Sequence, residues 1–214
     1  MRPRDAATLI IVRNRREVLL GVRSAGHVFM PHLYVFPGGR VDAGDARVPC
    51  PRPLRPEVEA RLTRSVSPAR ARALAMTAVR ETFEETGLVL GARSEIPLRT
   101  RSPHWQPFFE RNEVPALDRL DYVARAVTPP NGVRRYDARF FMVDAKHLSG
   151  ELSGNGELED LRWVDLGSAH RLALSPITEL VLRLLERRIT GKPEDPEQVP
   201  FFRQLNGKEL IEYE

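Results

Sequence analysis

A chain of 214 residues, 42% of them hydrophobic, is long enough to bury a core of its own. Its single cysteine, Cys50, excludes an intrachain disulfide, which makes a reducing compartment, the cytoplasm, the expected home. Lys and Arg number 33 against 29 Asp and Glu, a net charge of only +4 with the basic residues scattered among acids; this reads as solvated surface with a minor share of phosphate attraction, and argues against a nucleic-acid partner.

The first elements are a strand pair, "DAATLIIVR" and "EVLLGVRS", across a polar turn at Asn14. The run "AATLII" is too short for a signal peptide or a spanning helix, so no membrane partner is expected. Four prolines between 49 and 56 forbid a continuous helix or inner strand there, leaving "EVEARLTR" as a short helix. Ser67 as N-cap, Pro68 at N1 and Gly87 as C-terminal stop predict a helix over 68–86. Its small residues Ala75, Ala78, Val79 and Thr82, with Phe83, form the packing arc, and Glu81, Glu84 and Glu85 are expected on a face turned away from the core. Arg80 stands four residues before Glu84 and can brace it. Carboxylates grouped this way are either a solvated acidic face or oxygen ligands for a hard cation such as Mg²⁺.

Farther on, "SPHWQPFF" joins His104 and Trp105 in an aromatic cluster, for core packing or for stacking on an adenine. The five histidines show no H-x3-H or cysteine pairing, so no structural zinc is expected. Strands follow at "DYVARAV", "ARFFMVDA" and "LRWVDL", with "TPPNG" a turn. A helix capped by Ser175 and Pro176 carries Leu180, Leu184 and Leu185 at helical spacing. Strands mixed with two substantial helices fit an α/β (α+β) sandwich: one domain over 1–190, and a tail, 191–214, that packs back or pairs two chains as a homodimer through Phe201 and Phe202.

"RETFEETGL", residues 80–88, resembles the second half of the Nudix box, G-x5-E-x7-R-E-U-x-E-E-x-G-U. Its first half is matched upstream in "FPGGRVDAGD", where Gly39 and Asp45 reproduce G-x5-E with aspartate for glutamate. Between Asp45 and Arg80 lie 34 residues where the family has seven, so the box is split by an insertion, 46–67, with surface decoration and a role in substrate access both open. Residues 19–39 further resemble the signature of the coenzyme A diphosphatases within that superfamily. Leu19, Leu20, Arg23, Ser24 and Phe36 to Gly39 agree, whereas Gly21, Val28 and His32 replace threonine, arginine and glycine.

The resemblance implies a Nudix-type α/β/α sandwich with a mixed sheet. It implies Glu84 and Glu85 as principal ligands of Mg²⁺ or Mn²⁺, Glu81 as ligand or base, Arg80 as orienting ion pair, and the Gly39 carbonyl as a further ligand. Asp45 is a structural partner of the helix or a ligand; Glu157 completes the catalytic set or is a solvated acid. Arg23, Ser24 and Phe36 become substrate-binding candidates, with Arg23 on a phosphate, helped by Arg52 or Arg55, or in a salt bridge. The implied reaction is hydrolysis of coenzyme A or acyl-coenzyme A to 3′,5′-ADP and (acyl-)phosphopantetheine. The alternatives are another small-molecule nucleoside diphosphate derivative (a dinucleotide or nucleotide sugar) and a nucleotide-sensing module without catalysis; the intact R-E-x-x-E-E argues against the last.

Overall fold

The structure, a computed structural model, describes residues 2–26, 31–130, 132, 134–191, 197–205 and 208–214; His27 and Val28 lie outside the described residues. Strand β1 (Arg4–Arg13) pairs antiparallel with β2 (Glu17–Arg23) across Asn14 and Arg15, whose φ of 54° and 53° are left-handed. Along β1 the side chains alternate as a strand buried on both faces requires: Ala7, Leu9 and Ile11 enter one core, Ile10 and Val12 the other. Two short strands, β3 (Tyr34–Val35) and β4 (Gly38–Arg40), pair with β2 and β1.

Helix α1 (Pro56–Thr63) precedes α2 (Pro68–Thr86). Both ends of α2 follow from local chemistry. The Ser67 side chain accepts from the Arg70 N–H, and Gly87, at φ 72°, donates its N–H to the Phe83 carbonyl. A small hairpin of β5 (Gly91–Arg93) and β6 (Glu113–Pro115) encloses the short helix α3 (Gln106–Phe109). Then come β7 (Asp121–Val127), β8 (Tyr136–Asp144), β9 (Leu158–Asp165), the short α4 (Leu166–Ala169), α5 (Pro176–Thr190), β10 (Pro200–Leu205) and β11 (Lys208–Tyr213).

Among the described residues nine strands form one mixed sheet, ordered β11-β10-β7-β8-β1-β2-β3, with β4 added on β1 and β9 on β2. The β1–β8 and β7–β10 pairs are parallel. One core lies between this sheet and α1 and α2, the second beneath α5, where Val181, Leu184 and Leu185 meet Ile10 and Leu20. The architecture is the expected α/β/α sandwich.

One open reading is overturned, and of the two left for the tail one is observed. Residues 46–67 are not loose decoration: Val48, Leu54, Val58 and Leu62 are buried in the first core, because α1 packs its apolar side against α2 and β7. Strands β10 and β11 pack back, extending the sheet beyond β7 and burying Phe202 in the second core.

Candidate active site

The acidic residues of α2 meet a turn of the sheet. After β3 the chain turns through Pro37 into β4, which brings Gly38 and Gly39 against both β1 and the last turns of α2. Neither glycine has room for a side chain. A Cβ at Gly38 would lie 2.5 Å from the Ala7 carbonyl oxygen, and one at Gly39 would lie 2.5 Å from the Glu81 carboxylate carbon.

Glu85 is buried, with its Oε2 accepting from the Gly38 N–H at 2.7 Å. Burial, then the neighbouring Glu81 charge, pushes its carboxyl well above the ordinary range, while the Gly38 N–H and Arg23 pull the other way. Burial likewise pushes Glu81 up to about 7, with Arg80 opposing and Glu84 adding to the rise. Here the structure corrects the expectation of a face turned from the core: Glu85 points inward beneath Gly38, because the β4 turn folds over it.

Arg80 joins the acids. Its Nη1 donates to Glu81 Oε1 and Glu84 Oε2, each at 2.8 Å; its Nε and Nη2 reach the two oxygens of Asp45 at 2.9 and 3.1 Å; and Nη2 also reaches the Arg40 carbonyl at 3.1 Å. Asp45 is fully buried. It also accepts from the Asp42 N–H (2.9 Å), Thr77 Oγ1 (2.7 Å) and Trp105 Nε1 (2.8 Å). Burial alone would raise its carboxyl, but Arg80 and these donors outweigh it and hold Asp45 below the usual carboxylate range.

The expected second half of the site lies at the paired ends of β2 and β9. The Ser24 N–H donates to the Glu157 carbonyl at 3.1 Å, and Arg23 pairs in register with Leu158. The side chain of Glu157 is exposed, yet its charge registers on both Glu81 and Glu85, as that of Arg23 does on Glu85. Phe36 is not brought to the acids: it is 2% exposed in the second core. Arg52 and Arg55 are held by Asp118 and Asp121 instead of reaching toward Arg23.

Two departures from the signature have local reasons. His32 holds the left-handed φ of 63° that suits the signature's glycine, and a side chain at Gly21 would come within 2.9 Å of Leu161 on β9.

Glu81, Glu84 and Glu85 do not converge on one point. Among the described residues no group of three or more His, Cys, Asp or Glu side chains is arranged to hold a metal ion as it stands. Like charges turn to the nearest donors, Glu81 and Glu84 to Arg80 and Glu85 to Gly38. The composition of the site still fits a divalent cation. Three carboxylates, Asp45, Glu81 and Glu84, face one fixed guanidinium, burial raises the carboxyls of Glu81 and Glu85, and the bare main chain of Gly39 lies directly against the Glu81 carboxylate.

Of the pair expected in an aromatic cluster, Trp105 packs in the core, but sequence reasoning missed that His104 meets Glu84. Its Nδ1 lies 3.0 Å from Glu84 Oε1, next to the residue that anchors Asp45. No spacing rule links positions 84 and 104. They meet because α3 packs on α2, with Phe83 and Phe108 edge to face at 5.5 Å.

No protein-family model and no curated protein matches the chain. Solved structures do. A NUDIX hydrolase from Alicyclobacillus acidocaldarius is 28% identical with a TM-score of 0.65, over 92% of this chain and 99% of that one. A MutT NUDIX hydrolase from Burkholderia pseudomallei is 19% identical at 0.50, over 86% and 98%. A MutT protein from Bacillus halodurans is 15% identical at 0.50, over 99% and 96%; these last two likenesses bear on fold alone. The chain has the Nudix hydrolase fold, and the likeness to the Alicyclobacillus protein supports an enzyme of that kind.

Proposed function

We propose that this chain is a metal-dependent diphosphatase that cleaves coenzyme A or acyl-coenzyme A with water, giving 3′,5′-ADP and (acyl-)phosphopantetheine. The fold supports the coarser part, a pyrophosphohydrolase of some nucleoside diphosphate derivative. The finer part rests on Leu19, Leu20, Arg23, Ser24 and the run Phe36 to Gly39, the positions that agree with the coenzyme A signature. The observation that carries the catalytic reading is Glu85, buried beneath the glycine turn beside the half-buried Glu81, with both carboxyls pushed up chiefly by burial.

Nudix hydrolases generally need a divalent metal ion. Bound at Glu81, Glu84, Glu85 and the Gly39 carbonyl, Mg²⁺ or Mn²⁺ would neutralise phosphoryl oxygens and ease the ionisation of a water. The chain's own residues set the frame. Arg80, clamped by Asp45, fixes Glu81 and Glu84 relative to each other. Gly39, having no side chain, lets the main chain approach the Glu81 carboxylate. Arg23 supplies a cation on the side of Glu85 for a substrate phosphate, and Glu157 on the opposing loop is a further acid for holding a water or its proton.

The test is a product-resolved panel with Mg²⁺ or Mn²⁺: coenzyme A, its 3′-dephospho form, NADH, ADP-ribose and diadenosine polyphosphates. A charged hydrogen bond to the 3′-phosphate predicts a preference for coenzyme A over the dephospho form of about ten- to a hundredfold in kcat/KM. Arg23→Ala should erase that preference more than it slows the dephospho compound. Absence of the preference in the unaltered chain would replace coenzyme A with another nucleoside diphosphate derivative. Equal loss on both compounds would assign Arg23 to the fold or the diphosphate itself.

A further inference from the structure

The turn before α3 meets the acidic site through two consecutive residues, His104 at Glu84 of α2 and Trp105 at Asp45. Trp105, fully buried, donates its indole N–H to Asp45, and its ring packs on Phe108 at 5.3 Å, which in turn meets Phe83 of α2. The turn is also held from outside, since a Cβ at Gly44 would come within 2.8 Å of Ser102 Oγ. His104 is therefore carried on a backbone fixed to the same frame as Asp45 and Arg80, although its own side chain is 53% exposed.

From there His104 Nδ1 sits 3.0 Å from Glu84 Oε1, while Arg80 Nη1 sits 2.8 Å from Glu84 Oε2. A carboxylate only accepts, so the imidazole must carry its proton on Nδ1. Each oxygen of Glu84 is then held by one donor, and each keeps a further lone pair. Rotation of the carboxylate would break both bonds at once.

We propose that His104 is a positioning residue for Glu84, donating from Nδ1 so that the carboxylate presents its remaining lone pairs to a divalent cation. This rests on the metal-dependent reading of the site. It extends that reading to a residue outside the acidic motif, with the role that outer donors have around carboxylate ligands elsewhere.

Mn²⁺ binding to the metal-free chain, followed by electron paramagnetic resonance without substrate, tests it. His104→Ala should weaken Mn²⁺ by about tenfold or more, and His104→Asn, whose amide can reproduce an Nδ1–H donor, should recover to within about threefold of the unaltered chain. Nitrogen-15 spectra of the metal-free chain should show Nδ1 as the protonated ring nitrogen. Unchanged Mn²⁺ affinity in His104→Ala, an asparagine variant as weak as the alanine one, or a bare Nδ1 would each overturn the inference while leaving the site's metal dependence standing. An unaltered chain that binds no Mn²⁺ and cleaves no diphosphate would remove the metal-dependent reading and this role with it.

Discussion

Replacing Asp45 with alanine should destabilise the chain severely, although Asp45 lies outside the group of glutamates. Its carboxylate is fully buried and accepts five hydrogen bonds, from Asp42, Thr77, Trp105 and twice from Arg80. Breaking a buried ion pair by removing one partner costs about 3 to 5 kcal/mol. Arg80 keeps Glu81, Glu84 and the Arg40 carbonyl, which moderates the loss; the buried Trp105 N–H, left without an acceptor, adds about 1 to 3 kcal/mol. We expect a net loss of about 3 to 5 kcal/mol, a large part of the roughly 5 to 15 kcal/mol that holds a domain. In urea, at a slope of about 2 kcal/mol per M, the unfolding midpoint should fall by about 2 M. The pH dependence has a definite sign. The folded carboxyl is held below its unfolded value, so its contribution is complete above about pH 4 and is lost as pH falls through the folded value. The gap between unaltered and Asp45→Ala chains should be flat from about pH 5 to 8 and close in acid. A midpoint shift under about 0.5 M, or a gap that widens on acidification, would refute Asp45 as the clamp on Arg80.

Glu84→Gln and Glu85→Gln should each lose at least about a thousandfold in turnover, near 4 kcal/mol of barrier, at saturating Mn²⁺. Glu85→Gln should at the same time raise the urea midpoint of the metal-free chain, because it removes a buried acid whose carboxyl, among the described residues, is met by the Gly38 N–H. Near-normal turnover in either variant would remove the metal-site assignment. Leu62→Ala, at a fully buried position of α1, should cost about 2 to 5 kcal/mol by urea unfolding, and a loss below about 1 kcal/mol would return residues 46–67 to the surface.

The parts of this fold that were legible in sequence are those whose causes are local. Ser67, Pro68 and Gly87 set both ends of α2 within a residue or two of themselves, and the long strands stand out as apolar runs within segments of seven to ten residues. Strands β3 and β4 are two and three residues long and have no period to read. Helix α1 was legible as a short helix, but its burial was not: its apolar residues are interspersed with prolines and with arginines whose charges are met from elsewhere, as Arg61 is by Asp121. At the site, helical spacing placed the acids on one helix, but it could not show that Glu85 is capped by a backbone N–H 47 residues away in sequence.

The aspartate at position 45 shows how far such a departure reaches. The box resemblance calls for glutamate there, and from sequence the shorter acid left both ligand and structural roles open. In the fold, donors from four sides converge on that carboxylate: a turn N–H, a hydroxyl, a guanidinium and an indole. With Trp105 filling the core up to 2.8 Å from the carboxylate, an extra methylene would drive the acid into the groups it now receives from. The aspartate and the tryptophan thus fit one another in size. The same turn that delivers Trp105 delivers His104 to Glu84, so a change in the box's first acid carries an outside residue to the group it is proposed to position.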